Sequence, residues 1–228
     1  MAGLLYGPGF FRLLLAMAVV VEHVSRLQIG TPAVMVFFIL SGYWVMRMFD
    51  EKYRHAPRPL LAFYLSRALR IWLPYLAAVL LAMAAFALLA GRYDPAHWLA
   101  LPILGVASHG NDIIGITWSL DIELQFYILL PLMWLLMTRT QGTVGRAGVF
   151  LGAAALSALG WALDFGAGLE LVLSYLPLFL AGAALHLLGI RASGRAAMLS
   201  GGAFALAGLG VWALPALRAR FPRLDLVC

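Results

Sequence analysis

Long apolar runs, broken by short polar stretches, set the pattern of the chain. The runs near 10–27, 33–49, 71–90, 119–138, 147–164, 171–190 and 197–215 each hold roughly 17 to 22 residues, long enough for a helix to cross bilayer hydrocarbon. HWLALPILGVA, at 97–107, is too short to cross and reads as a re-entrant or interfacial piece. There is no internal repeat and no low-complexity tail. The Gly and Ala content of 147–210 suits close helix packing in lipid. The expectation is an all-α, polytopic transmembrane helix bundle of about seven spans, a single domain over 1–228.

Composition sharpens this. Of the 228 residues, 64% are hydrophobic and only 11% charged, and mean hydropathy is +0.93. Soluble domains are nearer half apolar and a quarter charged, so lipid must solvate much of this surface. The net charge of +6 is then a topology signal and not a nucleic-acid footprint. The single cysteine, Cys228, allows no intrachain disulfide. The N-terminus lacks a basic stretch before its apolar run, and Arg12 interrupts that run, so the first span reads as retained and not as a cleaved signal.

Basic loops orient the bundle. The segment 47–70 carries Arg47, Lys52, Arg54, Arg58, Arg67 and Arg70 and is expected in the cytoplasm, with the N-terminus on the same side. The protein is expected in a cell membrane of the bacterial inner-membrane kind. Arg139 with Arg146, and Arg191 with Arg195, mark the next inside loops. Arg218, Arg220 and Arg223 fall outside if there are seven spans, which leaves that end either miscounted by one or followed by further helices.

The first span holds Arg12, Glu22 and His23. Ionisable groups inside a membrane are costly, so each is a functional candidate by default. Arg12 and His23 are eleven residues apart, which at about 100° per residue returns to nearly the same face, roughly 16 Å higher. A fixed cation below a titratable imidazole suits a long ligand with an anionic head and a reactive tail, such as acyl-coenzyme A. The structural alternatives are snorkelling of Arg12 to the headgroups, an interhelical hydrogen bond for His23, and pairing of Glu22 with Arg26 one turn on.

Five stretches resemble, in order, the motifs of the membrane acyltransferase-3 family. FRLLLAMAVVVEH carries its Arg-x10-His signature. VMVFFILSGYWV is similar to its second-helix pattern ending in Ser-Gly-Tyr. FYLSRALRIWLPY resembles its Phe-x3-Arg-x2-Arg-Ile-x-Pro-Tyr pattern, with one extra residue before Pro74. TWSLDIELQFYILLP resembles its Trp-Ser-Leu-x-x-Glu-x-x-Phe-Tyr block, and LPLFLAGAAL its later Phe-x-x-Gly helix. The resemblance implies an integral membrane O-acyltransferase that moves an acetyl or other short acyl group from acyl-CoA to a hydroxyl of an extracytoplasmic carbohydrate or glycolipid. His23 would be the catalytic base. Arg12, Arg67 and Arg70 would bind the donor, and Glu123 matches the motif's acid. Acyl-CoA, in most members acetyl-CoA, would be a donor substrate and not a tightly bound cofactor. Family members carry more spans than this chain has room for, so helices are expected to be missing at its C-terminal end, and with them part of the acceptor pocket.

In TWSLDIELQFY, Trp118 and Tyr127 are expected at a membrane interface. Ser119 reads as an N-cap, with Asp121 an acid in the first turn that favours the helix dipole. Ser119 and Glu123 share a helical face. Glu123 is either a further helix-start acid or a partner that orients His23. Ser41, Tyr43, Trp118, Ser119 and Tyr127 are the candidate acceptor-contact or supporting residues. Asp94, His97, His109 and Asp112 match no compact metal-site spacing, and no metal is expected. Arg67 and Arg70 also suit lipid-headgroup anchors. Two other functions fit buried Arg, His and Glu: a proton-coupled transporter or flippase of a lipid-linked sugar, and an inactive truncated paralogue. The sequence carries no signal for oligomeric state.

Overall fold

A computed structural model describes residues 8–24, 29–90, 101, 117–140, 142–167 and 170–190. Six α-helices cover most of them: α1 (Pro8–Val24), α2 (Gly30–Glu51), α3 (Pro59–Ala90), α4 (Thr117–Arg139), α5 (Gly142–Ala167) and α6 (Val172–Leu187). A short 3-10 turn, Tyr53–His55, lies between α2 and α3, and no strand occurs among the described residues. Among the described residues four segments are long and apolar enough to cross a membrane: Gly30–His55, Pro59–Leu89, Thr117–Arg139 and Gly142–Asp164. α1 and α6 are shorter, at 17 and 16 residues. The protein is thus a polytopic helical bundle. Six of the seven expected spans coincide with described helices; the seventh, 197–215, lies outside the described residues, as do Arg191, Arg195 and all of 218–228.

The bundle has an inner and an outer set. α2, α4 and α6 contact one another, and α1, α3 and α5 each pack on the helix that follows them in sequence. One aromatic from each inner helix meets at the centre. Phe126 of α4 stacks on Phe179 of α6 with ring centroids 4.0 Å apart, and Phe38 of α2 lies 4.9 Å from Phe179. The outer helices turn Leu61, Leu65, Leu81, Leu88, Leu89, Val144 and Leu151 outward. In water such faces would be a liability, but in lipid they are the solvated surface.

α2 and α6 meet backbone to backbone. A Cβ added to Gly42 would lie 2.1 Å from the Phe179 carbonyl oxygen, and one added to Gly182 would lie 1.9 Å from that of Ile39. Helices in lipid associate by such close packing, because no hydrophobic force drives them together there. The glycine of the Ser-Gly-Tyr stretch and that of the Phe-x-x-Gly stretch are therefore two halves of one contact.

Helix ends follow the same logic. Ile29 and Leu171 precede α2 and α6 and offer no side-chain cap. Orphan N–H groups at a helix start need an acceptor, and hydrocarbon supplies none. Neighbouring helices provide it. Glu22 of α1 accepts from the Gly30 N–H, and Gln125 Oε1 of α4 accepts from the Val172 N–H at 2.9 Å. At its other end α6 closes on Gly189, whose φ of 68° only glycine adopts freely. The Ile190 N–H donates to the Leu185 carbonyl at 3.0 Å and the Gly189 N–H to the His186 carbonyl at 2.9 Å, a Schellman termination.

Two expectations need correction here. The basic segment 47–70 is not a loop: α2 runs through Glu51 and α3 begins at Pro59, so Arg47, Arg67 and Arg70 are helical and only 52–58 connects. Proline is favoured at a first helical position, because the donor it lacks would be an orphan there. Ser119 is not an N-cap, since α4 already includes Thr117, and Asp121 lies beyond the first turn, buried at 1% exposure.

Of the expected re-entrant piece at 97–107, Leu101 alone is described. Its carbonyl accepts from Trp72 Nε1 at 3.1 Å. Trp72 lies 18 residues before the end of α3, about 27 Å back along that helix. Leu101 therefore lies beside the middle of α3, and the rest of 97–107 is outside the described residues.

Candidate functional site

Glu123 is the hub of the inner polar cluster. One oxygen, Oε1, accepts from Ser41 Oγ of α2 at 2.9 Å and from Tyr127 Oη, one turn further along α4, at 2.6 Å. A carboxylate that accepts two hydroxyls inside a bundle is held in a single orientation. Tyr127 is 4% exposed, so it is a buried partner of Glu123 and not the interfacial residue its aromatic character predicts. Ser41 has no neighbouring base in its own helix, yet the fold gives it a carboxylate from 82 residues away.

Three guanidinium groups lie within electrostatic reach of the Glu123–Tyr127 pair, and among the described residues none of them forms an ion pair with the carboxylate. Arg12 of α1 lies within electrostatic reach of Glu123, Tyr127, Arg67 and Arg70. Its Nε is buried and makes no hydrogen bond. Arg12 does not snorkel away: it lies on the inward stripe of α1 with Leu15, Val19 and Glu22, while Leu13, Leu14, Met17 and Val20 face out. Arg67 of α3 is 4% exposed. Its Nη2 donates to Tyr53 Oη at 3.3 Å, and Tyr53 Oη in turn shares a hydrogen bond with Ser66 Oγ at 2.7 Å. Arg67 Nε is also buried without a partner. This burial removes the headgroup-anchor reading for Arg67. Arg70 is exposed, one turn on along the same helix.

The cluster therefore sets three fixed cations against one carboxylate, drawn from α1, α3 and α4, with α2 adding the Ser41 hydroxyl. Unbalanced buried charge is costly. Arg12 and Arg67 each keep one buried Nε–H donor unused.

The remaining candidates fall elsewhere. Trp118 contacts the rings of Phe38 and Tyr175, with centroids 6.3 and 6.0 Å away, and is a packing residue beside the aromatic core. Tyr43 turns toward Trp44 and His186, not toward Glu123. Ser119 is half-buried one turn before Glu123. The backbone of His23 belongs to α1, one residue after the Glu22 that caps α2. Its side chain lies outside the described residues, as do Arg26, Asp94, His97, His109 and Asp112. Glu22 thus has an acceptor role on α2 that the predicted Arg26 pairing did not include.

A second polar node escaped the sequence reading. Asp50, near the end of α2, accepts from Trp134 Nε1 of α4 at 3.0 Å. It lies 3.4 Å from His186 Nε2 of α6 and 3.4 Å from Arg54 Nε. Arg54 also covers the face of Trp134 at 5.7 Å. All three inner helices are tied here, opposite the end where Gln125 and Glu22 provide caps. Asp50 follows the second-helix motif and His186 the last one, so only their shared helix-end position hinted at the contact.

A polytopic helical bundle with an internal polar cluster drawn from α1, α2, α3 and α4 defines a class: multi-pass membrane proteins that hold ionisable groups inside the bundle. Within that class the chain belongs to the acyltransferase-3 family, whose model, described as an acyltransferase domain, matches residues 5–222. It is a membrane acyltransferase by family, which the transporter reading does not explain. No curated protein and no solved structure matches it.

Proposed function

We propose that the protein transfers an acetyl or other short acyl group from acyl-CoA to a hydroxyl of an extracytoplasmic carbohydrate or glycolipid. The observation that carries this reading is the excess of guanidinium over carboxylate in the Arg12, Arg67, Arg70 and Glu123 cluster. The phosphates of coenzyme A are the anions that balance it, with Arg12 and Arg67 offering their unpaired Nε–H donors. Glu123, fixed by Ser41 and Tyr127, sets a negative charge within electrostatic reach of Arg12 and keeps net charge from growing prohibitive.

His23 sits eleven residues beyond Arg12 on α1, a rise of about 16 Å. That separation accommodates the extended arm between phosphates and thioester. Its imidazole takes the proton of the acceptor hydroxyl as the oxygen attacks the thioester carbonyl. The C–S bond breaks, the ester forms, and the proton leaves on the coenzyme A thiolate. The basic connector at 52–58 faces the cytoplasm on the charge rule, so the donor arrives from that side and the N-terminus lies there too.

The test uses purified protein with labelled acetyl-CoA. His23→Ala is expected to bind donor and fail to turn it over, whereas Arg12→Ala binds at least tenfold more weakly. Full activity in both variants sinks the mechanism. Intact donor alongside sugar movement across vesicles would favour the carrier reading instead.

A further inference from the structure

A cavity of about 240 Å³ opens where α4, α5 and α6 end, away from the arginine cluster. Met137 and Thr140 come from the end of α4, Arg146, Val149 and Phe150 from the start of α5, and Ala184, Leu187 and Leu188 from the end of α6. Six of these eight side chains are apolar. A dry apolar cavity of about 150 Å³ already takes a guest the size of benzene, so this one has room for part of an alkyl chain and little reason to hold water.

The polar end of the cavity is one-sided in charge. Arg146 is exposed beside it, and Arg139 ends α4 nearby. Neither forms an ion pair among the described residues. The first turn of α5 carries no acid. The end of the bundle that holds these residues also carries the basic connector Lys52, Arg54 and Arg58, which the charge rule places on the cytoplasmic side, where anionic lipids concentrate. An apolar slot with a cation at its mouth, at the height of the headgroups, has the chemistry of an anionic phospholipid.

We propose that this cavity is a binding site for one anionic phospholipid of the cytoplasmic leaflet. One acyl chain lies between Phe150, Ala184, Leu187 and Leu188, and the phosphate rests on Arg146 with Thr140 at its edge. The zwitterionic analogue fills the slot equally well. Its choline, however, leaves the guanidinium without net compensation, so discrimination comes from charge and retention from the slot. A lipid here would wedge α4, α5 and α6 together at the end where Asp50, Trp134 and His186 are also joined. The site is separate from the proposed donor site and does not depend on it.

The experiment reconstitutes the full chain in nanodiscs of equal dioleoyl phosphatidylglycerol and dioleoyl phosphatidylcholine, re-extracts it gently, and quantifies co-purified lipid by mass spectrometry. The native protein is expected to retain phosphatidylglycerol at least fivefold over phosphatidylcholine. Arg146→Gln should erase that preference while leaving total retained lipid near native, and Arg146→Lys should keep most of it. Ala184→Trp, which fills the slot, should lower retention of both lipids. Arg146 is exposed, so its variants test the proposal even if Ala184→Trp does not fold. Equal retention of the two lipids by the native protein overturns the proposal. So does an unchanged preference in Arg146→Gln, or displacement of the lipid by inorganic phosphate alone. If Ala184→Trp retains lipid as the native protein does, the lipid does not occupy the slot and the proposal fails.

Discussion

Replacing Gly42 by alanine should separate the two innermost helices, and the cost can be worked from the contact. The new methyl would begin 2.1 Å from a backbone oxygen of α6, and real Cβ atoms essentially never come within 3.0 Å. The obstacle is backbone and cannot swing aside, so α2 and α6 must part by about 1 Å; overpacking of this kind costs roughly 1–3 kcal/mol, here toward the upper end. Gly182→Ala meets the Ile39 oxygen at 1.9 Å and should cost as much. Gly148 and Gly152 of α5 are the controls, because nothing lies within 4 Å of a Cβ there. Alanine at those positions should stabilise by about 0.4–1 kcal/mol, through the smaller entropy of the unfolded chain. Thermal unfolding in detergent reads the difference, at about 2–4 °C per kcal/mol for a chain of this size. Gly42→Ala with Gly182→Ala should cost at least about 1 kcal/mol less than the sum of the two, since the first substitution already opens the gap the second requires. The parting also moves Ser41 away from Glu123, so donor affinity should fall in the same variants. Equal melting temperatures for Gly42→Ala and Gly148→Ala would refute the backbone contact.

Glu123→Ala strands the Ser41 and Tyr127 hydroxyls and leaves three cations unbalanced; a loss of roughly 2–4 kcal/mol is expected. Glu123→Gln, which keeps an acceptor, should lose less, and denaturant midpoints of the two decide. Arg12→Ala should leave thermal stability within about 1 kcal/mol of native while weakening acetyl-CoA binding, because it deletes a buried charge with an unused donor; a large destabilisation would mean the guanidinium is structural. Asp50→Ala should cost about 1–3 kcal/mol, since it unpairs the Trp134 indole and His186 together, and Trp134→Phe should recover part of that loss in the double variant, measured by a mutant cycle. Gln125→Ala should cost about 1 kcal/mol by removing the cap of α6, seen as faster amide exchange at Val172 and the residues after it.

The spans were legible because lipid makes a local demand. Every stretch that crosses hydrocarbon must be apolar and must satisfy its own backbone, and both conditions are written in consecutive residues. The motif residues were legible too, including the Arg12 and Glu123 that the fold brings together. What the sequence could not reveal is where polar groups find partners. Ser41 and Glu123 are 82 residues apart, Asp50 and His186 136. The caps of α2 and α6 come from Glu22 and Gln125, because Ile29 and Leu171 have none to give. Tyr127 looked interfacial because tyrosine usually is, and only the packed α4 shows it turned inward against a carboxylate. Helix identity is fixed within a helix, whereas a polar side chain in lipid must be satisfied between helices. That choice is made by which backbones approach closely enough to touch, as Gly42 and Gly182 do here.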